Sequence, residues 1–114
     1  MDLQQHRLVP IIPCNDLDES QAFYERLGFE VESIYPAEGY RILRDSRGAH
    51  VHLTGTVPGW VVPERNPYGV YFYAENVDVL AARFGREAQD KPWGLREFAV
   101  SDPSGTLVRI GWPR

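Results

Sequence analysis

With 114 residues the chain is long enough for one domain and too short for two. Its 43% apolar and 25% charged content excludes a disordered chain, and no apolar run reaches the roughly 18 residues that span a bilayer. A formal charge of −4, with Arg and Lys scattered among acids, leaves no basic stripe for nucleic acid and mildly favours a cationic small ligand. Cys14 is the only cysteine, so no internal disulfide can form. The N-terminus, Met1 to His6, lacks the apolar core of a signal peptide, and the expected compartment is the cytoplasm.

In chain order, the apolar stretch 8–12 predicts a strand. Pro10 and Pro13 cannot donate ladder hydrogen bonds, so this strand belongs at a sheet edge or ends early. Asn15 or Asp16 then caps a helix with Leu17, Ala22, Phe23 and Leu27 on one face, and Gly28 supplies the left-handed stop. Three short strands follow at 29–35, 40–44 and 50–54, the last two joined by a turn at 45–48.

The second half repeats this order. A β-rich strand at 70–74 precedes a helix entered at Asn76-Val77-Asp78, with Val77, Leu80, Ala81 and Phe84 at helical spacing. A short strand is expected near Ala88, then a hairpin of 96–101 and 106–111 around Asp102-Pro103-Ser104-Gly105. The reading is a single α+β domain of two modules, about 7–54 and 69–112. Between them a proline-bearing linker, about 55–68, has no periodicity, and loops of that length are commonly functional.

Strand alternation divides the side chains. Val51, Leu53, Val70, Phe72, Ala74, Val108 and Ile110 are assigned to the core. His50, His52, Thr54, Tyr71, Tyr73, Leu107 and Arg109 are assigned to the opposite face. The residues Val9-Pro10, Phe23-Tyr24-Glu25-Arg26-Leu27-Gly28-Phe29, Asn76-Val77-Asp78 and the run from Lys91 to Gly105 (KPWGLREFAVSDPSG) together resemble the glyoxalase/bleomycin resistance protein/dioxygenase, or vicinal-oxygen-chelate, superfamily. The Pro-Trp-Gly-x-Arg-Glu-Phe stretch running into Asp-Pro-x-Gly is similar to the bleomycin-resistance branch in particular.

The resemblance implies two βαβββ modules forming a curved mixed sheet around a cleft, with helices on the outer face. It also implies a homodimer with ligand grooves built from both chains. In some members the first strand is exchanged between partners about a proline hinge; Pro10 fits that role and equally fits a plain edge-strand proline. Enzymes of the superfamily hold a divalent metal with His and Glu on four strands, and the corresponding positions here are Val9, His52, Gly69 and Arg109. One imidazole beside a guanidinium is a poor cation site, so no metal, cofactor or catalytic residue is expected. His50 and His52, two apart on one strand face, offer a rival two-histidine clip, although half-buried polar surface is the plainer reading. Cys14, before the first helix, reads as a buried inert thiol.

Flat rings on a sheet face can stack on a heteroaromatic ligand or embrace a cation. The ligand-binding candidates are therefore Trp93, Tyr71, Tyr73, Tyr40, His50, His52 and Trp60 in the linker, together with Glu97 and Arg109. Arg96 and Glu97 are expected to contact ligand or to support each other and the dimer, and Glu97 is the acid available to neutralise Arg109. The favoured function is metal-independent sequestration of a bleomycin-type or similar planar, cationic antibiotic, conferring resistance. The alternatives are a metal-dependent glyoxalase- or dioxygenase-type enzyme and a binder of another natural product.

Overall fold

A computed structural model describes residues 6–114. The elements are β1 (Ile11–Cys14), α1 (Leu17–Arg26), β2 (Glu30–Tyr35), β3 (Tyr40–Arg44), β4 (His50–Gly55), β5 (Gly69–Tyr73), α2 (Val77–Arg83), β6 (Gln89–Asp90), β7 (Leu95–Ser101) and β8 (Leu107–Pro113). Both halves thus run strand, helix and three strands, as the sequence predicts. They form two separately hydrogen-bonded four-stranded mixed sheets, ordered β1-β4-β3-β2 and β5-β8-β7-β6. In each, the first strand lies parallel to the last, and the remaining pairs are antiparallel.

The first strand starts later than expected. Leu8 is almost fully exposed, and regular pairing begins only after Pro10, whose carbonyl accepts from the His52 amide. Its place at the sheet edge suits two prolines. The helix face also differs. Asp16 is the cap, its Oδ1 accepting from the Glu19 amide, and the inward residues are Ser20, Phe23, Tyr24 and Leu27. Ala22 is exposed, because the stripe through Leu27 repeats at three- and four-residue steps that pass over it. The core joins both halves, with Leu43, Leu53, Leu80 and Ile110 essentially inaccessible and the Phe29 and Phe72 rings 5.2 Å apart across the junction.

Three polar devices fix the halves against each other. Arg26 and Arg83, the last residues of α1 and α2, each donate to the other's backbone carbonyl, at 2.7 and 3.1 Å. Asn15 leaves capping to Asp16; its amide donates to Ser104 Oγ at 2.9 Å. Asp102 is the third. Its Oδ1 accepts from the Ser104 and Thr106 amides and its Oδ2 from the Tyr24 hydroxyl at 2.8 Å. Asp45 organises the β3–β4 turn identically, accepting from the Arg47 and Ala49 amides, but makes no link across the junction. Gly105 has φ +86°, and a Cβ there would lie 2.3 Å from the Pro63 carbonyl, so the linker packs directly on this turn.

Burial pushes the Asp102 carboxyl above its ordinary 3.8, outweighing its hydrogen bonds, and drives the Tyr24 hydroxyl strongly upward. A folded state that binds this proton more tightly than the unfolded chain gains stability below pH 3.8 and loses that gain as pH rises through the folded value. Asp102→Asn keeps an acceptor for the two amides and can donate to Tyr24, so it should fold and lose this pH-dependent component in denaturant titrations. Tyr24→Phe removes one buried donor and should cost ~1–2 kcal/mol, lowering the melting temperature by roughly 5–15 °C.

Candidate functional site

The alternation assigned from sequence holds on β4 and β8. Val51, Leu53, Val108 and Ile110 are buried, while His50, His52 and Thr54 are half-buried and Leu107 and Arg109 exposed on the other face. On β5, Val70 and Phe72 pack against the core, and the Tyr71 and Tyr73 rings lie 4.7 Å apart on the outer side.

Glu97 on β7 organises the face of the second sheet. Its carboxylate is only 2% exposed. Oε1 accepts from Trp93 Nε1 at 2.8 Å and the Tyr71 hydroxyl at 3.3 Å, while Oε2 meets Arg109 Nη1 at 3.3 Å. A buried carboxylate is costly unless paired and hydrogen-bonded, and these three donors meet that need. Trp93 projects from the tight turn between β6 and β7, where Gly94 takes φ +81°. Its indole N–H is anchored while 58% of the side-chain-bearing residue stays exposed. Tyr71 reaches Glu97 only because position 111 is glycine, since a Cβ there would stand 2.1 Å from its hydroxyl. Burial, with Glu97 adding to it, pushes this hydroxyl up to about 12.

Arg96 does not support Glu97. Successive strand residues face opposite sides, and Arg96 turns away from Glu97 to bind Asp78 of α2 at 2.9 Å and Asp90 of β6 at 3.2 Å. On the first sheet the matching face carries Tyr40 and His52, with the tyrosine hydroxyl 2.7 Å from Nδ1. His50 lies beside Arg7 and the Gly48 carbonyl, so the two histidines have different partners.

The candidates do not share one cavity. His50, Tyr71 and Tyr73 line a recess of about 390 Å³ at the junction of the halves. Trp60 lines a larger one, about 740 Å³, formed by the linker and the end of β4. Glu97 and Arg109 line a third, of about 250 Å³, with Lys91 and Gln89. Sequence reasoning did not single out Lys91, Gln89 or Gly111. Lys91 and Gly111 were visible only as members of a motif and a strand, and their role depends on which side chains fold against them.

The four positions at which related enzymes carry metal ligands do not fit a divalent cation. Val9 and Gly69 offer no donor side chain, Arg109 is a cation bound to Glu97, and one nitrogen of His52 is engaged by Tyr40. No three His, Cys, Asp or Glu side chains gather in a metal-binding group among the described residues. Cys14 is buried and its thiol donates to the Ile12 carbonyl; burial pushes it up to about 11, which leaves it a weak nucleophile. No helix among the described residues is long and apolar enough to cross a membrane.

The sequence model of the Glyoxalase/Bleomycin resistance protein/Dioxygenase superfamily matches residues 4–110, and the chain belongs to that superfamily. Solved structures share its fold across nearly the whole length. A bleomycin-binding protein complexed with bleomycin is 22% identical, with a TM-score of 0.81 over 96% of this chain and 100% of that one. TnmS3, an antibiotic-binding protein from Streptomyces sp. CB03234, is 21% identical, with a TM-score of 0.74 over 98% of each chain. A lactoylglutathione lyase from Agrobacterium tumefaciens is 21% identical, with a TM-score of 0.70 over 94% of this chain and 92% of that one. No curated protein matches the sequence. The α+β fold of paired βαβββ modules is therefore that of the superfamily, whose members include both antibiotic binders and enzymes.

If Glu97 organises this face as described, Glu97→Gln should lower the Tyr71 titration from about 12 without returning it to the ordinary 10.0, because burial is the larger cause. Gly111→Ala, which displaces the hydroxyl, should lower it too. Both are read by NMR of ring-labelled tyrosine across alkaline pH, and an unchanged value in both variants would contradict the arrangement.

Proposed function

We propose that the chain is a non-catalytic binding protein that sequesters a planar, ring-rich antibiotic, with a bleomycin-type glycopeptide as the first ligand to test, and so confers resistance. The observation that carries this reading is Trp93, an indole held at its N–H by a buried carboxylate and otherwise exposed beside the Tyr71–Tyr73 pair. A prepositioned ring loses little freedom on binding, so its stacking energy of ~0.5–1.5 kcal/mol is largely retained. The similar folds of antibiotic-binding proteins support the same reading.

The groove of this proposal is completed by a second copy of the chain. Tyr40, His52 and Trp60 lie on or beside the first sheet and do not meet the Trp93 cluster within one chain. Tyr73, Trp93, Trp60 and Leu107 are large apolar groups left exposed, and a partner covering them would join the two sets. The alternative, an enzyme built around His50 and His52, would need ligands that these two rings do not share.

Light scattering should give about twice the chain mass of 13.0 kDa. Calorimetric titration of metal-stripped protein with metal-free and copper-loaded bleomycin should saturate at two ligands per dimer. Trp93→Ala should weaken binding roughly tenfold or more, the loss of one well-placed aromatic contact. A stoichiometric metal that supports turnover would overturn the binding reading, and absence of any heat would remove bleomycin as the ligand.

A further inference from the structure

We infer that the recess beside Trp93, where Arg109 and Lys91 converge, is a subsite for a carboxylate carried on the edge of the ligand's ring system. This rests on the binding function proposed above and specifies the chemistry of its ligand. Glu97 is fully committed within the protein. Both of its oxygens are engaged, by Trp93 and Tyr71 on one and Arg109 on the other, and it is 2% exposed. It therefore has no accessible oxygen to offer a cationic ligand.

Arg109 is in the opposite situation. Among the described residues only its Nη1 is engaged, at 3.3 Å, and its side chain is 48% exposed, which leaves the rest of a five-donor guanidinium open to an acceptor. Lys91 lines the same recess with its ammonium 3.4 Å from Gln89 Oε1, and no ion pair engages it among the described residues. Arg86 adds a third cation at the rim, against one exposed acid, Glu87. The local excess is positive although the chain as a whole is negative. A guanidinium and an ammonium at one recess match a carboxylate, which accepts from both in charge-assisted bonds. The Trp93 indole N–H is held by Glu97, a residue of the recess wall, so a ring on the indole has the recess within reach of its edge. Overall charge and local charge then act on different parts of a ligand: the first draws a cationic tail at long range, and the second receives an acidic edge.

Three probes of one ring system test this: anthraquinone-2-carboxylate, its carboxamide, and its aminomethyl (ammonium) analogue. Affinities are read by quenching of tryptophan fluorescence at low salt. The carboxylate should bind ~10-fold more tightly than the carboxamide, as expected for added charge-assisted bonds. That preference should fall about threefold in Lys91→Gln and vanish in Arg109→Gln, while Trp93→Ala weakens all three probes alike. Should Arg109→Gln fail to fold with Glu97 left unpaired, Lys91→Gln carries the test. Equal binding of the three probes, or tightest binding of the ammonium, would overturn the subsite and leave ring binding intact. Failure of all three to bind would overturn the subsite and count against the binding function itself.

Discussion

The carboxylate of Asp102 is where the two halves become one body. It closes the β7–β8 turn through two amides and, through Tyr24, reaches into the helix of the other half. Its counterpart Asp45 closes an equivalent turn and stops there. The difference is one partner, a tyrosine facing inward from α1. With that turn fixed, Ser104 receives Asn15, Asn66 donates to the Ser104 carbonyl, and the linker rests on Gly105. The linker recess and the placement of Trp60 therefore depend on the same buried acid as the core.

The repeat extends from element order to individual sites. In the two registers, His52 pairs with Ile11 and Ile42, and Arg109 with Tyr71 and Ala99. Tyr40 pairs with Thr54 as Glu97 pairs with Gly111. Tyr40–His52 and Glu97–Arg109 thus occupy matching places, a hydrogen-bonded phenol and imidazole on one sheet and an ion pair on the other. A helix-side arginine also recurs, Arg41 with Asp18 and Arg96 with Asp78, although Arg96 sits two residues nearer the start of its strand than the place matching Arg41, which Phe98 occupies.

Most of the fold was legible because it is written in short-range signals. Turn residues at 45–48 and 102–105, an Asp or Asn at the entry of each helix (Asp16 and Asn76) and two-residue alternation on β4 and β8 require no knowledge of distant contacts. The errors fell where tertiary context decides. Ala22 looked like a core residue, but the Asp102 partner allows Tyr24, with its polar end, to take the inner face. Mutual support of Arg96 and Glu97, one of the two roles open to them, fails because neighbours in a strand face opposite sides. Among the site candidates, Trp93, Tyr71, Glu97 and Arg109 are physically joined, and the motif gave reason to single out Trp93. That a glycine at 111 makes their meeting possible could not be read from sequence, since the atom it spares belongs to a tyrosine on another strand.

The reciprocal clasp of Arg26 and Arg83 has a consequence for how such a chain can diverge. Each guanidinium grips a main-chain oxygen, so the contact demands the two arginines and makes no demand on the side chains of either sheet. A duplicated module joined in this way can drift on its outward sheet without losing its grip on its twin. One sheet here carries an imidazole and a phenol, and the other a guanidinium and a buried carboxylate that holds an indole from the adjoining turn. The two halves share one frame, and their outward panels are free to differ.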